Sequence, residues 1–400
     1  MTMSAESTTP APEILARALA EDFWRRAADH DAAGSFPTQN FDDLRTAGLL
    51  SLNVPSQWGG AGLGPEAGKP LELWKVTRAI AFGDPATAQS FHVHANEIDI
   101  ILGLGTPQQH AMFLKPVVDR GVIFGGYGSQ LADSTPTIAR RRDGGWVLDG
   151  KKFFCTNCEA AGAALVWALV EGDEDPSDRI QVFCVSHDNP GLRIQRGWWE
   201  QFQGMRSTGS HVVQLDRLEL DESAALGKPG DYLRLGLQAR AYCQFAASFV
   251  GIADRLLHES CTSVAFRKLT DDASAIARIG NSRLHLDAAW GLVERAAQAY
   301  QRGEPDAPVR ANMARYFAEQ AVRVGLENAL DNIGTFAGSA ASGMPKLARD
   351  IHLYIRHESR DRILRTIGAA QLDLRVDTNF SGDNPILKGL SKHEHSPSHR

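Results

Sequence analysis

The chain has 400 residues, of which 43% are hydrophobic and 22% are charged, and its formal net charge is −6. These proportions are ordinary for a globular protein, and an acidic balance argues against a nucleic-acid partner, which would need a basic face. The sequence has no run of eighteen or more apolar residues, so we expect no membrane span. Five cysteines do not suggest a secreted disulfide framework, and the polar residues 1–13 lack the apolar core of a signal peptide. We therefore expect a cytoplasmic protein with a disordered tail at residues 1–13.

The first part of the chain, residues 14–121, is predicted to be helical. Apolar residues recur at helical spacing from Ile14 to Ala33, and residues 41–49 show a second, shorter helical pattern. Asp84-Pro85 is typical of a helix start, because Asp caps free backbone N–H groups and Pro fits the first helical position. These patterns predict an N-terminal helical domain.

The helix predicted to start at Asp84 carries two histidines, which are two residues apart. Residues at that spacing point to different sides of a helix, so His92 and His94 cannot share a metal ion. His94 lies on an apolar stripe, where a histidine is most often a core residue satisfied by hydrogen bonds. His92 falls on a second stripe, with Asn96 and Asp99.

Residues 122–222 switch to short runs of strand-forming residues separated by turn signals, which predicts a mostly antiparallel β-domain. Asp149-Gly150 is predicted to be the turn of a hairpin. The second strand of that hairpin would carry Phe153-Phe154 and the hydroxyl of Thr156 to a loop at Asn157. A flat apolar wall with one hydrogen bond suits a flat cofactor with a polar edge, although a buried hairpin explains the same pattern.

From residue 231 the pattern returns to helices. Four antiparallel helices pack as a bundle, so residues 231–375 are predicted to form a C-terminal four-helix bundle. His357 and Glu358 would be neighbours on the last of these helices. Residues 376–400 are expected to form a second tail, of which residues 391–400 are rich in His and Ser. The four predicted helices cover roughly residues 231–262, 271–302, 307–337 and 345–373.

Three separated motifs resemble those of the acyl-CoA dehydrogenase superfamily, in the same order. Residues 150–157, Gly-Lys-Lys-Phe-Phe-Cys-Thr-Asn, are similar to its flavin-contacting strand. Residues 204–206, Gly-Met-Arg, are similar to the turn before its last β-strand, and residues 347–350, Leu-Ala-Arg-Asp, to the start of its final helix. The resemblance points within the superfamily to the flavin-dependent monooxygenases. It implies an α+β, mainly α fold with N-terminal helices, a central antiparallel β-domain and a C-terminal four-helix bundle.

The resemblance also implies a flavin site and assigns residues to it. His94 matches a histidine that faces the flavin in the monooxygenases. A pocket for a small aromatic or heteroatom-containing substrate is expected at Phe91, Trp199 and Tyr354. Catalytic roles are implied for His94, His357, Thr156 and Glu358. Cofactor contacts are implied for Tyr127, Ser129, Phe154, Thr156, Asn157 and Arg206.

The resemblance leaves an acyl-CoA dehydrogenase open as an alternative, because Glu358 sits where those enzymes carry the base that removes a proton α to a thioester. Three departures disfavour this alternative. Ser359-Arg360 replaces the usual Gly-Thr after the base, and Thr335 replaces one of two glycines near the FAD pyrophosphate. The Arg-x-x-Phe-Gly element near the adenine is missing around residues 265–269. The last two departures favour FMN over FAD, which stays the alternative cofactor.

The sequence carries no dinucleotide fingerprint, because no Gly-x-Gly-x-x-Gly follows a predicted strand. Reduced FMN would therefore come from a separate flavin reductase, and the chain would use it with O2 to oxygenate its substrate. A single Cys-x-x-Cys, at Cys155 and Cys158, lacks the second ligand pair of a zinc site, so no metal is expected. The resemblance further implies a homotetramer. A third hypothesis, of a different class, is a non-catalytic scaffold that binds flavin or an acyl carrier.

Overall fold

The computed structural model describes residues 10–131 and 134–374. The predicted tails at residues 1–13 and 376–400 lie outside this range, except that the first helix already begins at Pro12. The predicted fold class, α+β and mainly α, is confirmed, since helices are followed by one sheet and then by long helices. The exact domain boundaries stay predictions.

The N-terminal helices of the described chain surround one central helix. Their bounds are α1 (Pro12–Ala33), α2 (Thr38–Thr46), α3 (Pro70–Gly83), α4 (Pro85–Leu104) and α5 (Pro107–Arg120). The predicted start of α4 is confirmed, because the Asp84 carboxylate accepts a hydrogen bond of 2.9 Å from the Thr87 backbone N–H. Most of α4 is buried, since helices lie on one side of it and the sheet on the other.

Eight strands of the described chain form one sheet, in the order β6-β7-β3-β2-β4-β5-β8, with β1 beside β4. The pairs β1–β4 and β2–β4 are parallel and the remaining pairs are antiparallel, as the mostly antiparallel prediction requires. The bounds are β1 (Phe124–Tyr127), β2 (Ile138–Arg142), β3 (Gly145–Cys155), β4 (Ala163–Val170), β5 (Ile180–Ser186), β6 (Leu192–Gln195), β7 (His211–Asp221) and β8 (Ala225–Leu226).

The predicted hairpin turn at Asp149-Gly150 is wrong. β3 runs through this pair as one strand, and the turn lies earlier, at Asp143-Gly144, between β2 and β3. Asp149-Gly150 instead forms a bulge opposite β7, where Gly150 has a φ of 147°. The Asp149 carboxylate accepts a hydrogen bond of 2.8 Å from the backbone N–H of Arg217, which fixes the bulge. An Asp-Gly pair serves a bulge as well as a turn, because Gly supplies the unusual backbone angle in both.

The C-terminal helices of the described chain are longer. The predicted helix 231–262 splits in two, because Gly236 takes a left-handed conformation with a φ of 65°. The bounds are α6 (Asp231–Arg234), α7 (Leu237–Phe266), α8 (Ala273–Arg302), α9 (Ala307–Ile333), α10 (Met344–Tyr354) and α11 (Arg360–Gln371).

The predicted continuous helix 345–373 is wrong, because the chain breaks between α10 and α11. A short 3₁₀ turn, Ile355–His357, follows α10, and Glu358 is extended, with φ −131° and ψ 150°. The Ser359 hydroxyl then caps α11. His357 and Glu358 therefore do not lie on one helix, which overturns the predicted relation between their side chains.

A buried ion cluster joins the N-terminal helices, the sheet side and the C-terminal helices. The Lys346 ammonium contacts the Asp84 carboxylate, and it lies 2.7 Å from the Asp350 carboxylate. Asp350 also accepts a hydrogen bond of 2.6 Å from the backbone N–H of Met205, in the loop before β7. The cluster thus fixes the start of α4, α10 and the Gly-Met-Arg turn relative to one another.

Candidate active site

The end of β3 forms one wall of the site. Thr156 pairs with Gly126 of β1 in an isolated bridge, and its hydroxyl lies 2.9 Å from the Ser210 hydroxyl. Phe154 and Asn157 have φ values of 53° and 70°. Residues with a β-carbon rarely take such angles, and backbone of this kind is concentrated at binding and catalytic sites.

Asn157 locks the loop that follows β3. Its side-chain amide donates hydrogen bonds of 2.9 Å to the carbonyl oxygens of Ser90 on α4 and Phe124 on β1. Both protons of the amide are thereby used. Among the residues that the structure describes, the side-chain oxygen of Asn157 has no partner. The predicted cofactor residue Asn157 thus holds Thr156 in place between helix and sheet.

An aromatic group covers the same strand end. The Phe154 ring, 38% exposed, lies 4.9 Å from Trp198 and 6.1 Å from Trp199 between ring centroids. The Trp199 indole N–H donates to the backbone carbonyl of Arg206, at 3.1 Å. The Arg206 guanidinium points away, toward Gly34 at the end of α1. The structure therefore brings Trp199 to Phe154 but directs the predicted cofactor residue Arg206 elsewhere.

Tyr127 lies on the other face of the sheet, which corrects its predicted contact with a cofactor beside Thr156. Its side chain is fully buried in the β-domain core together with Cys155, and its hydroxyl lies 2.7 Å from His187 Nε2. Successive residues of a strand point to opposite faces, so Cys155 and Thr156 cannot share a side. Ser129 lies at the edge of β3, where its carbonyl accepts a hydrogen bond of 3.1 Å from Phe153.

His94 is a structural residue, which corrects its predicted catalytic role. Its Nε2 donates to the Leu50 carbonyl at 2.8 Å, and its Nδ1 accepts from the Phe124 backbone N–H at 3.1 Å. The second bond requires a neutral ring with the proton on Nε2. Burial lowers the pKa of His94 to about 4, which keeps the ring neutral. Neither nitrogen is available to a ligand.

His92, two residues earlier, faces a different group of side chains, which we call the histidine cluster: His92, Phe245, Tyr354 and His357. The His92 ring meets the edge of Phe245 at 4.3 Å, and the His357 ring stacks on Phe245 at 4.3 Å. Tyr354 lies 5.8 Å from Phe245 and donates to the Ser248 hydroxyl. The structure thus brings the predicted residues His357 and Tyr354 together around Phe245.

Within the cluster, His92 is held as a neutral imidazole. Burial, followed by the nearby His357, lowers the pKa of His92 to about 3. Its Nδ1 is buried and has no hydrogen-bond partner within residues 10–131 and 134–374. A buried imidazole nitrogen without a partner is costly unless a ligand satisfies it.

Sequence reasoning assigned no role to His92 or Phe245 and placed a catalytic histidine at His94, whose two ring nitrogens are both hydrogen-bonded here. A signal was present, because His92, Asn96 and Asp99 form a polar stripe on an otherwise apolar helix. The predicted pocket residue Phe91 is buried in the helical core, to which Phe245 and Tyr354 also belong.

Glu358 lies in the break between α10 and α11, and its carboxylate is fully engaged. It pairs with the Arg362 guanidinium and accepts hydrogen bonds from the Tyr242 hydroxyl, at 3.0 Å, and from the Ser359 backbone N–H, at 2.7 Å. These donors all stabilise the ionised carboxylate. Three donors therefore hold the Glu358 carboxylate in place.

A small cavity lies next to the histidine cluster, between α3, α4 and α7. Asn96 follows His92 by one helical turn, and Gln244 directly precedes Phe245, so the cavity and the cluster are neighbours. Burial raises the pKa of Asp99 to about 7. The Asp99 carboxyl accepts a hydrogen bond of 2.9 Å from the side-chain amide of Asn53. The cavity lining includes Trp74, Asn96, Asp99, Ile100, Arg240 and Gln244.

The described residues offer neither a metal-binding cluster nor a membrane-crossing helix. No group of three or more His, Cys, Asp or Glu side chains there is arranged to hold a metal ion. Among the helices from α1 to α11, none is both long and apolar enough to cross a membrane.

Curated relatives of the chain fall into two enzyme classes. Dibenzothiophene monooxygenase of Rhodococcus qingshengii is 26% identical over 312 residues, which are 72% of this chain and 73% of that protein. The putative acyl-CoA dehydrogenase YdbM of Bacillus subtilis is 28% identical over 256 residues, 58% of this chain and 64% of that protein.

Solved structures show the same division. The crystal structure of dibenzothiophene monooxygenase from Paenibacillus sp. A11-2 matches with a TM-score of 0.82 at 23% identity and covers 92% of this chain and 98% of that one. Butyryl-CoA dehydrogenase from Megasphaera elsdenii matches with a TM-score of 0.83 at 20% identity and covers 93% and 100%. At these identities the likeness shows the fold.

Family models cover most of the chain in three consecutive pieces. The N-terminal, middle and C-terminal domains of acyl-CoA dehydrogenase match residues 13–120, 125–218 and 243–362. The order of the pieces is the order of helices, sheet and helices seen in the structure. The chain therefore belongs to the acyl-CoA dehydrogenase family, a family of flavin-dependent oxidoreductases.

Proposed function

We propose that the chain is the oxygenating component of a two-component flavin-dependent monooxygenase. It takes reduced FMN from a separate flavin reductase and uses it with O2 to oxygenate a small aromatic or heteroatom-containing substrate. The observation that carries this proposal is the contrast between Glu358, whose carboxylate is held by three donors, and the neutral His92 beside His357. A dehydrogenase needs the first group as a free base, whereas an oxygenase needs groups that hold and move protons.

The residues present fit a flavin at the end of β3. A flavin has a flat apolar ring and a polar edge, and the site offers the half-exposed Phe154 ring and the Thr156 hydroxyl, held by the Asn157 loop. The orphaned Nδ1 of His92 adds a buried polar atom that needs a partner. Reduced flavin, when bound, supplies the electrons that activate O2.

The chain's own contribution comes from the histidine cluster. His92 is neutral, because burial lowers its pKa to about 3, so its open Nδ1 can make a hydrogen bond to a bound ligand. His357 stacks on the same Phe245 ring and opposes a charge on His92. Phe245 and Tyr354 are buried beside His92, whereas His357 is exposed at the edge of the cluster.

FMN is favoured over FAD by the nucleotide end of the fold. The Arg267 guanidinium donates a hydrogen bond of 2.7 Å to the Asn332 carbonyl and lies over Gly334. That position is where the resemblance places the FAD pyrophosphate, and the guanidinium there already donates to a backbone carbonyl. The Paenibacillus sp. A11-2 dibenzothiophene monooxygenase has been crystallised with FMN and indole. Calorimetric titration should show FMN bound more tightly, and FAD binding tenfold tighter than FMN would overturn this assignment.

One experiment separates the two enzymatic alternatives. The purified protein, loaded with oxidised flavin, is mixed anaerobically with an acyl-CoA, and its flavin absorbance is followed. We expect no bleaching, and we expect O2-dependent turnover of an aromatic probe such as indole when reduced FMN is supplied. Bleaching by the acyl-CoA would establish the dehydrogenase with Glu358 as base. Flavin binding without either reaction would establish a non-catalytic scaffold.

The assembly proposed for the chain is a homotetramer. Large apolar side chains are exposed on the C-terminal helices and the adjoining loop, among them Phe266 at 88%, Leu284 at 68% and Phe336 at 60%. Exposed apolar surface of this kind is typical of protein–protein contacts. Light scattering at micromolar concentration should give about four times the chain mass, and a monomer would contradict this proposal.

A further inference from the structure

A chain of three buried hydroxyl groups ends at Thr156. The Thr156 hydroxyl lies 2.9 Å from the Ser210 hydroxyl, which lies 2.7 Å from the Thr208 hydroxyl. The Thr208 hydroxyl lies 2.9 Å from the backbone carbonyl of Met205. Ser210 and Thr208 are 3% and 1% exposed, so bulk water does not compete for these bonds.

The Met205 carbonyl fixes the direction of every hydrogen bond in this row of hydroxyl groups. A carbonyl can only accept, so the single proton of the Thr208 hydroxyl goes to Met205. Thr208 must then accept from Ser210, and Ser210 must accept from Thr156. The proton of Thr156 is thereby used inside the protein, and its oxygen offers only lone pairs to the site.

The backbone at Met205, where the row of hydroxyl groups begins, is itself held in place. Met205 has a left-handed backbone, with a φ of 54°. Its backbone N–H donates a hydrogen bond of 2.6 Å to the buried Asp350 carboxylate, which forms an ion pair with Lys346. The Thr208 backbone N–H also donates to the Met205 carbonyl, at 3.1 Å. The backbone N–H of Thr156 is occupied as well, because it donates to the Phe154 carbonyl at 2.9 Å. Thr156 therefore presents no proton to a ligand from either its side chain or its backbone.

We propose that this hydroxyl chain makes Thr156 a hydrogen-bond acceptor that selects reduced over oxidised flavin. The inference rests on the proposed flavin site, with Thr156 near flavin N5. Reduced flavin carries a hydrogen on N5 and can donate to Thr156, whereas oxidised flavin has only a lone pair there. Two facing lone pairs repel, so the oxidised cofactor loses a hydrogen bond that the reduced cofactor makes. An enzyme supplied with reduced flavin by a partner gains from releasing the oxidised form.

The test measures binding, not turnover. FMN is titrated anaerobically into the full-length protein, once in the oxidised and once in the dithionite-reduced state. The quantity compared is the dissociation constant of oxidised FMN divided by that of reduced FMN, called the ratio below. The wild-type protein should bind reduced FMN more tightly. In Ser210→Ala the Thr156 proton is freed to turn toward the flavin, and the ratio should fall about tenfold. This equals a decrease of about 30 mV in the two-electron potential of bound FMN.

A second pair of variants distinguishes the hydroxyl chain from a packing effect. Thr208→Val removes the hydroxyl at the start of the chain and should lower the ratio as Ser210→Ala does, whereas Thr208→Ser keeps the hydroxyl and should keep the wild-type ratio. Ser207→Ala is the matched control, because the Ser207 hydroxyl lies in the same turn but has no partner within the described residues.

Two results would overturn the proposal in different ways. If Ser210→Ala and Thr208→Val bind FMN with the wild-type ratio, the hydroxyl chain does not set the preference, although the flavin site stands. If the wild-type protein binds neither FMN nor FAD in either redox state, the proposed flavin site fails with it. A shifted ratio in a protein that shows no O2-dependent turnover would support the hydroxyl chain and leave only the monooxygenase activity refuted.

Discussion

At the scale of single residues, neighbouring histidines on α4 have unlike surroundings. His94 bridges the Leu50 carbonyl and the Phe124 backbone N–H, so it joins α4 to the segment after α2 and to β1. His92 contacts Phe245 and leaves Nδ1 open to a ligand. The difference arises because residues two apart point to different sides of the helix, one toward the sheet and the other toward α7.

The buried His94 should make stability depend on pH. Its pKa of about 4 in the folded chain lies below the ordinary value of 6.5, so the unfolded chain binds the proton first as pH falls. The stability that His94 contributes is present above pH 6.5 and is lost between 6.5 and about 4. Glutamine can donate to Leu50 and accept from Phe124 without titrating, so His94→Gln should remove this dependence.

Urea unfolding at a series of pH values checks this prediction. Between pH 6.5 and 4 the wild-type free energy of unfolding should fall faster than that of His94→Gln, by at most about 1.4 kcal/mol for each pH unit. The difference between the two proteins cancels the titration of the other groups. Parallel curves for the two proteins would show that His94 is not held neutral.

Replacing His357 and Glu358 in turn tests the proposed chemistry at the residue scale. His357→Ala removes the ring that stacks on Phe245, so oxygen consumption should uncouple from product and release hydrogen peroxide. The loss of product formation should be about 10²-fold or more, the range for removal of a proton-transfer group. Glu358→Gln should reduce product formation less than tenfold, because its amide oxygen can still accept from Tyr242 or Ser359.

The measurements are oxygen uptake, product yield and peroxide yield with reduced FMN and indole as probe. The free energy of unfolding of both variants serves as control, since Glu358→Gln also weakens the pair with Arg362. A folded Glu358→Gln protein that loses most of its rate, beside an unaffected His357→Ala protein, would reverse the assignment in favour of the dehydrogenase.

At the scale of elements, the bulge in β3 brings the strand to the site. β3 pairs with β7 over its whole length, and its register shifts once at Leu148–Gly150 and again between Lys152 and Cys155. Each shift bends the strand, and the second one lies at Phe154, where the backbone takes its left-handed angle. The strand therefore ends with Thr156 beside Gly126 instead of continuing flat along the sheet.

Gly150 and Gly144 allow a paired test of this element. Both have positive φ, but a β-carbon at Gly150 would lie 2.6 Å from the Thr137 α-carbon, while one at Gly144 meets nothing within 4 Å. Gly144→Ala should cost about 1–2 kcal/mol of unfolding free energy from backbone strain alone. Gly150→Ala should cost roughly 1–3 kcal/mol more, from overpacking. Equal losses in denaturant unfolding would show that the bulge tolerates a side chain.

At the scale of the whole molecule, the buried Lys346 cluster holds three parts of the chain together. Asp84 begins α4, Asp350 lies on α10, and Met205 precedes β7, and all three meet at Lys346 directly or through Asp350. Burial alone would raise the pKa of both carboxyls, and the Lys346 charge offsets this, with the net result that the pKa of Asp84 is lowered and that of Asp350 raised.

Removing the lysine leaves two buried carboxyls without their counter-charge. Lys346→Met should therefore lower the free energy of unfolding by about 3–5 kcal/mol. Lys75→Met is the matched control, because Lys75 pairs with Glu72 on the exposed side of α3 and should cost less than about 1 kcal/mol. Losses of similar size for both variants in urea unfolding would show that the buried cluster contributes no more than a surface pair.

The amino-acid sequence by itself determined the order of helices, sheet and helices, the start of α4 and the position of Thr156 at the end of a strand. These features depend on neighbouring residues, namely hydrophobic period, the Asp-Pro cap and the motif around Thr156, so they can be read locally. The family followed from three motifs spread over the chain, and the family models confirmed it.

Only the tertiary structure decided which side chains meet. It showed that both ring nitrogens of His94 are hydrogen-bonded, it placed the hairpin turn at Asp143-Gly144, and it broke the last helix so that Glu358 reached Tyr242. The first and last of these outcomes depend on partners far away in sequence, since Leu50 lies 44 positions from His94 and Tyr242 lies 116 positions from Glu358. Helical period says which residues share a face, but the element packed on that face decides whether a polar side chain is bonded or left open to a ligand.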